Sequence, residues 1–318
     1  MKNLQVVVSG STGLIGRALC NRLREGGHVV RTLHRQSHGH GASSSSGPAA
    51  TPLSSEQIQW DPVQGLLDPQ QLNDVDCVFH LAGRSIASSR WTAAEKRRIR
   101  DSRVQATQVL VQQLCQLSSP PKTFVSASAI GIYGDRGDQL VDETTPAADG
   151  FLADVVSDWE AACQPLGDAG VRVVHPRFGM VLSRSGGALG QMVPIFRWRV
   201  AGPLGSGKQY VSWIALPDVI SALEWLMHKS SAAGCYNVVA PKAVTNAEFT
   251  KTLADALGVS AIVPAPAWGL RLVLGEMADA LLLCSCRVVP KRLTDAGFVL
   301  QHPQLAPFLT EEFASGRD

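Results

Sequence analysis

The sequence predicts an α/β fold: a Rossmann-type doubly wound parallel sheet followed by a smaller C-terminal α/β substrate or cap region. Three observations carry this prediction. Short apolar runs alternate with helix-length amphipathic segments through the first half of the chain, as strands and crossover helices do in a parallel sheet. The first run opens into a glycine-rich turn, Gly10-Ser11-Thr12-Gly13-Leu14-Ile15-Gly16, with its glycines at GxxGxxG spacing. Later the alternation gives way to loops marked by Gly186-Gly187, Gly202-Pro203 and Gly205-Ser206-Gly207. The 318 residues are therefore divided into residues 1–183 and residues 184–318.

Residues 4–8 are the expected first strand, residues 14–25 a helix stopped by Gly26-Gly27, and residues 29–33 the second strand. Residues 36–56 contain His38-Gly39-His40-Gly41 and a serine run without periodicity, the pattern of a flexible surface insertion with incidental histidines. Strands at 77–82 and 123–128 flank a helix at 92–117, which Pro120-Pro121 follows. A helix at 155–166 precedes a strand at 171–175. In the second region come a helix at 218–228, a strand at 235–239 and a helix at 245–257, with Thr245 or Asn246 as N-cap and Gly258 as stop. A link with Pro264 and Pro266 leads to a helix near 270–283.

Bulk properties narrow the function classes. Apolar residues make up 45% of the chain, enough for a sizeable core. A net charge of +2 gives no footprint for nucleic acid or an anionic membrane, so neither is expected as a partner. The seven cysteines are scattered, and Cys284-Ser285-Cys286 fits no common zinc or redox spacing. Reduced thiols and no metal site are expected. The apolar stretch before the first turn is too short for a secretory core, and no run reaches membrane-spanning length. The expectation is a soluble intracellular, cytoplasmic protein, with an organelle and a homodimer left open.

The glycine turn has a physical logic. Gly10 permits the tight bend, Gly13 lets the backbone approach a pyrophosphate, and Gly16 allows close helix–strand contact. The helix N-terminus then offers free N–H groups and partial positive charge to the phosphates. An NAD site places a carboxylate at the end of the second strand, about 20 residues on, for the ribose 2′-hydroxyl. Here the strand ends in His34-Arg35. A guanidinium there can fork onto a 2′-phosphate and the imidazole can add a hydrogen bond, which favours NADP(H) over NAD(H). Small residues in Leu81-Ala82-Gly83 allow the backbone to lie against the adenosine half. His80 is expected to be a core imidazole.

With these motifs the chain resembles an extended short-chain dehydrogenase/reductase, in the atypical epimerase-family branch described as NAD-dependent epimerase/dehydratase-like or SulA-like. Further stretches carry the resemblance: Arg90-Trp91-Thr92, Asp101-Ser102-Arg103, the run from Ser126 to Gly134, Ser157-Asp158-Trp159-Glu160, Arg177-Phe178-Gly179-Met180-Val181, Gly202 through Trp213 to Asp218, Thr245 to Phe249, and Val289 to Leu293. The resemblance implies cofactor contacts at Gly10, Ser11, Thr12, Gly13, Leu14, Ile15, Gly16, His34, Arg35, Leu81, Ala82 and Gly83. It adds Arg103, where many relatives carry an Asn facing the cofactor, and Val181 near the nicotinamide. Arg84 departs from the branch, which often has Glu there.

Relatives of this kind pair a proton-transferring Tyr with a Lys four residues on. Counted back from Trp159-Glu160, those positions hold Leu152 and Val156. Ser128 keeps the usual Ser position, and Tyr133 is the nearest phenol; it reads equally as an acid–base group and as an aromatic plug. Asp135 and Asp142-Glu143 are expected to be solvated loop charges. The backbone of Gly205, Ser206 and Gly207, with Lys208, could cradle an anion or simply form a structural loop, and Trp213 could wall the substrate. Trp91, Trp159 and Trp225 are expected in the core. Two functions remain: an NADP(H)-dependent oxidoreductase or epimerase of unknown substrate, with Ser128 orienting an oxygen and Tyr133 or water moving the proton, or a catalytically silent NADPH-binding redox sensor or regulator.

Overall fold

A computed structural model describes residues 3–35, 56–63 and 68–314. Residues 36–55 of the expected insertion lie outside them. The strands, in chain order, are β1 (Gln5–Ser9), β2 (Val29–Arg35), β3 (Gln57–Trp60), β4 (Cys77–His80), β5 (Thr123–Ser126), β6 (Ser128–Ala129), β7 (Leu140–Val141), β8 (Arg172–Phe178), β9 (Met180–Ser183), β10 (Tyr210–Val211), β11 (Trp213–Ala215), β12 (Gly234–Val238), β13 (Val244–Thr245) and β14 (Arg287–Val288). The main sheet runs β12-β8-β5-β4-β1-β2-β3, with β6 also on β8, and every pairing in it is parallel. The chain leaves β1 toward β2 and β3, then returns to build β4, β5, β8 and β12 on the other side. The strand order therefore reverses between β1 and β4, and ligands of open α/β sheets bind at the carboxyl ends of strands at such a point.

Alternation along the strands supplies two cores. Val6, Val8, Phe79 and Val125 point to one face, covered by helices α1 (Leu14–Glu25) and α7 (Leu216–His228) through Leu19, Leu23, Val219 and Leu223. Val7, Val78 and Phe124 point to the other, where α3 (Val104–Cys115) and α5 (Gln164–Asp168) bring Leu110, Leu114 and Leu166. Strands buried on both faces read as continuous apolar runs, which is why they are visible in the sequence.

Several expected helices are divided. The one expected at 92–117 becomes α2 (Ala93–Asp101) and α3, broken at Ser102-Arg103. Ser102 Oγ donates back to the Ile99 carbonyl at 2.9 Å, a side-chain bond that competes with helix continuation. The one expected at 155–166 becomes α4 (Phe151–Ala161) and α5, with Pro165 in the first turn of α5. The one near 270–283 becomes α9 (Ala267–Leu274), ended by Gly275 at φ 64°, and a π-helical turn at Ala278–Leu283. By contrast α8 (Asn246–Leu257) has the Thr245–Glu248 capping box and the left-handed Gly258 that its sequence signals.

The chain beyond residue 183 contributes to the main sheet as well as to its own core, since β12 is an outer strand of the sheet and α7 covers it. A third core gathers Leu182, Trp213, Phe249, Leu253 and Phe308 between the β9–β11 pair, α6 (Gly187–Arg197), α8 and α11 (Leu305–Ala314). Strand β14 pairs with β7, so the C-terminal segment clamps the loop that follows Tyr133. All seven cysteines are free thiols. No described helix is long and apolar enough to cross a membrane, and no described group of side chains could hold a metal ion.

Asp218, fully buried, anchors the C-terminal chain by accepting the Gln301 and His302 backbone N–H groups at 2.6 and 2.9 Å. Asp218→Ala leaves both donors unpaired and is expected to cost about 3 kcal/mol in urea unfolding; a loss under about 1 kcal/mol would contradict this anchoring.

Candidate functional site

The site begins where the β1–α1 turn meets the end of β4. A Cβ on Gly10, at φ 70°, would stand 2.7 Å from the Leu81 carbonyl carbon and 2.8 Å from the Ala82 nitrogen. One on Gly16 would stand 2.2 Å from the Gly10 oxygen. These two glycines are demanded by the protein itself. Gly13 is different: its Cβ would meet only the Gly10 oxygen, at 3.3 Å, and it is the N-cap of α1 without a side-chain cap. The first turn of α1 carries no acidic residue, so the positive end of the helix faces the cleft unopposed. Gly10, Gly13, Leu14, Leu81 and Val181 line that cleft, and Gly187 and Ala188 at the start of α6 close its far side.

A buried side-chain pair fixes the junction. Ser9 Oγ lies 2.7 Å from His80 Nδ1 and takes the Leu81 and Ala82 N–H groups at 3.1 and 3.3 Å. With both lone pairs engaged, the hydroxyl donates to Nδ1, which places the imidazole proton on Nε2. Burial pushes the His80 pKa down to about 4, so the ring is neutral, between Trp60 and Phe124. It is the core imidazole expected, though its buried Nε2 has no hydrogen-bond partner among the described residues.

At the carboxyl edge of the sheet, beside the end of β1, β2 finishes with His34, whose Nε2 lies 2.9 Å from Thr32 Oγ1, and with exposed Arg35. On the β4 side, Gly83 lies against Arg103; a Cβ there would touch the guanidinium at 3.4 Å. Arg84 is held by Glu95 at 2.5 and 3.1 Å. Ser11 and Thr12 complete the turn.

The expected acid–base residues lie in a closed network. Ser128 Oγ donates to Glu160 Oε1 at 2.5 Å. Arg177 grips both Glu160 oxygens at 2.8 Å and donates to the Tyr133 hydroxyl at 2.9 Å. That hydroxyl donates to Asn237 Oδ1 at 2.8 Å. Tyr133 is 0% exposed and burial pushes its pKa up to about 12. Its geometry is therefore that of the plug, locked by Arg177 and Asn237, and Ser128 has its proton committed to Glu160. Glu143 accepts the Asn237 backbone N–H at 2.9 Å, so it too is structural rather than solvated. Leu152 packs among Trp91, Phe151, Leu274 and Leu281, and Val156 is buried.

The glycine-rich run after Gly202 also serves packing. Of the three N–H groups of the expected cradle, those of Gly205 and Gly207 go to Ala265 O and Leu204 O at 2.8 and 3.0 Å, and the Lys208 N–H goes to Ser206 Oγ at 3.2 Å, so these donors are used within the loop. A Cβ on Gly202 would stand 2.2 Å from the Val263 oxygen. Trp213 is fully buried and stacks on Phe308 at 5.9 Å, so it is no substrate wall. Trp91 and Trp159 are core residues, as expected. Ser9, Glu160, Arg177 and Asn237 have no expected role in the sequence, although Glu160 and Arg177 stand in motifs that carry the family resemblance; their meeting across elements has no local signal.

A parallel sheet with an intact glycine turn at its switch point defines a Rossmann-type fold. Residues 6–239 match the NAD dependent epimerase/dehydratase family, and residues 265–312 match a domain of unknown function (DUF1731). The chain belongs to the NAD dependent epimerase/dehydratase family. It is 39% identical over 302 residues to the epimerase family protein Mb2239 of Mycobacterium bovis, covering 95% of each chain. It is 33% identical over 311 residues to the human epimerase family protein SDR39U1, covering 97% of this chain and 99% of that protein. The crystal structure of human SDR39U1 (isoform 2) with NADPH superposes with a TM-score of 0.84, at 32% identity, over 98% of this chain and 99% of that one.

Burial raises the Glu160 carboxyl, but the Arg177 bonds and charge, with Ser128, outweigh it and hold the group below the ordinary range. A carboxyl depressed in the folded state stabilises fully above its unfolded pKa, about 4.3, and that stability is lost as pH falls through the folded value. Glu160→Gln leaves the Arg177 charge uncompensated and is expected to cost roughly 3–5 kcal/mol at pH 7. Urea unfolding at pH 7 and below pH 4 should show a smaller acid-induced loss in the variant than in the wild type; equal losses would remove Glu160 from the ledger.

Proposed function

We propose that the chain is an NADP(H)-binding protein whose cleft holds the dinucleotide without a side-chain acid–base pair for turnover. The observation that carries this reading is the turn at the switch point. Gly10 and Gly16 are required by the fold, whereas Gly13 opens space at the bare N-terminus of α1. The residues fit the group: N–H groups of the α1 N-terminus take a pyrophosphate, Leu81 and Val181 give apolar walls, and Arg35 with His34 takes a 2′-phosphate. The 32% identical human structure with NADPH supports the choice of cofactor.

When bound, the nicotinamide supplies or accepts a hydride. General acid–base work beside it needs a titratable group within hydrogen-bond reach. The expected positions hold Leu152 and Val156, Ser128 is committed to Glu160, and Tyr133 is sealed in the core. These features favour the silent redox sensor or regulator over an oxidoreductase or epimerase.

Calorimetry with NADPH and NADH is expected to show tighter binding of NADPH. Arg35→Ala should weaken NADPH about tenfold, the scale of one charged hydrogen-bonding contact, and leave NADH nearly unchanged. Absorbance at 340 nm of the NADPH-loaded protein should stay constant with a broad carbonyl panel; sustained oxidation in many turnovers would overturn the silent reading.

A further inference from the structure

Eight of the twelve large apolar side chains that stand exposed among the described residues fall in two short segments, 195–200 and 262–273. Ile262 is 80% exposed, Trp198 76%, and Trp268 and Leu272 71% each. The chain brings the two segments side by side. The Val263 N–H donates to the Ala201 carbonyl at 3.1 Å, and the Ala265 N–H donates to the Pro203 carbonyl at 3.0 Å. Helix α9 follows two residues later, and none of its residues is buried. One region of the surface thus carries Trp198, Val200, Ile262, Trp268, Leu272 and Val273.

The turn at Trp198 is fixed. The indole residue is the C-cap of α6, and its N–H donates to the Pro194 carbonyl at 3.0 Å. Arg199 follows at φ 58°, a conformation that a non-glycine residue keeps only when its surroundings hold it, and its N–H donates to the Phe196 carbonyl at 2.8 Å. Single exposed apolar side chains are ordinary, but a cluster of this kind marks an interaction surface. A large aromatic side chain has about 150–250 Å² to bury, so the two tryptophans alone present roughly 300 Å². The four aliphatic residues carry the patch past the roughly 300–600 Å² of the largest patch on an ordinary monomer, and toward the about 800 Å² that each partner of a stable pair covers.

Composition and charge indicate the partner. Residues 187–203 and 259–275 contain no lysine, aspartate or glutamate; their charged residues are Arg197, Arg199 and Arg271. Tryptophan and arginine without lysine or acids is the composition of a protein–protein interface core. Acids stand just beyond α9 instead: Glu276 and Asp279 each keep about half of the side chain exposed, although Lys96 and Arg271 pair with them. An anionic bilayer would repel these two carboxylates. A second copy related by a two-fold axis would use them, because an isologous contact sets the 195–200 turn of each protomer on the α9 region of the other, arginine against acid. We propose that this face is a homodimer interface, with Trp198 and Trp268 as its anchors and Arg199 facing Asp279 of the partner subunit. The interface goes beyond the dinucleotide reading and does not depend on it.

The test is analytical ultracentrifugation of the full-length protein from about 1 to about 100 µM, the span in which a micromolar pair assembles. Wild type is expected to pass from monomer to dimer. Trp198→Ser and Trp268→Ser should each raise the dissociation constant tenfold or more, with the thermal unfolding midpoint of the dilute monomer unchanged. Arg199→Glu and Asp279→Arg should each weaken self-association, and an equimolar mixture of the two should restore it, since every contact again joins opposite charges. Should the tryptophan variants lower the monomer midpoint, this charge exchange decides alone. A wild type that stays monomeric, or a dimer that both tryptophan variants leave unchanged, overturns the interface. A mixture that restores nothing overturns the pairing of the turn with the α9 region. Flotation with vesicles of equal parts phosphatidylglycerol and phosphatidylcholine separates the lipid alternative: a monomer that floats with them, and ceases to in Trp268→Ser, overturns the second copy and gives the face to a membrane.

Discussion

The β1–α1 turn runs so close to the end of β4 that a methyl group at residue 10 would overlap the Leu81–Ala82 peptide. Much of the site follows from that approach. It sets the turn against the strand at the point where the sheet order reverses, and it aims the first turn of α1 into the cleft. Ser9 makes the approach permanent: one hydroxyl takes two N–H groups from the β4 end and donates to a neutral imidazole behind them. A protonated His80 would deny Ser9 its acceptor, and burial between two aromatic rings keeps the ring neutral. The polar groups at this junction are spent on shape, and the glycines leave room for a ligand.

The second constraint is the Arg177–Glu160 pair, which ties β8 to α4 and reaches through Tyr133 and Asn237 to β12. Buried ion pairs add little net stability over apolar packing, but removing one partner is expensive. Such a pair is a strong specifier of which elements face one another. Here it also consumes groups that sequence motifs suggest for proton transfer. Asn237 in turn donates to Val289 O at 3.1 Å, and β14 runs beside β7, so the C-terminal segment is part of the same construction.

The cofactor turn was legible because its information is local: strand, glycines and helix follow one another within some twenty residues and each obeys its own periodicity. Alternation of Val6, Val7 and Val8 between two cores is a property of a single strand. The capping box of α8 is likewise contained in four residues. What was hidden depends on contacts between distant elements. Glu160 and Arg177 are 17 residues apart on a helix and a strand, and nothing in either segment announces the other. The division of the 92–117 helix rests on where one serine hydroxyl points. The glycines near Gly202 looked like an anion cradle because both uses need the same residue; only the approach of Val263 and Leu283 shows that packing is the reason here.

Those hidden contacts also bear on what kind of change separates this chain from relatives that carry a tyrosine and a lysine. Leu152 is not an isolated substitution in an otherwise open site. It belongs to an apolar cluster with Trp91, Phe151 and Met277, completed by Leu274 and Leu281 from the C-terminal segment. A phenol at that position would bring a hydroxyl into a cluster built from hydrocarbon, where an unpaired polar group is costly. Val156 packs with Ile132, Tyr133, Val141 and Val288, so a lysine there would bring a charge into a second apolar cluster. The apolar residues of α4 and the C-terminal segment that covers them are therefore mutually dependent. The side chains at 152 and 156 are thus part of the packing of this protein.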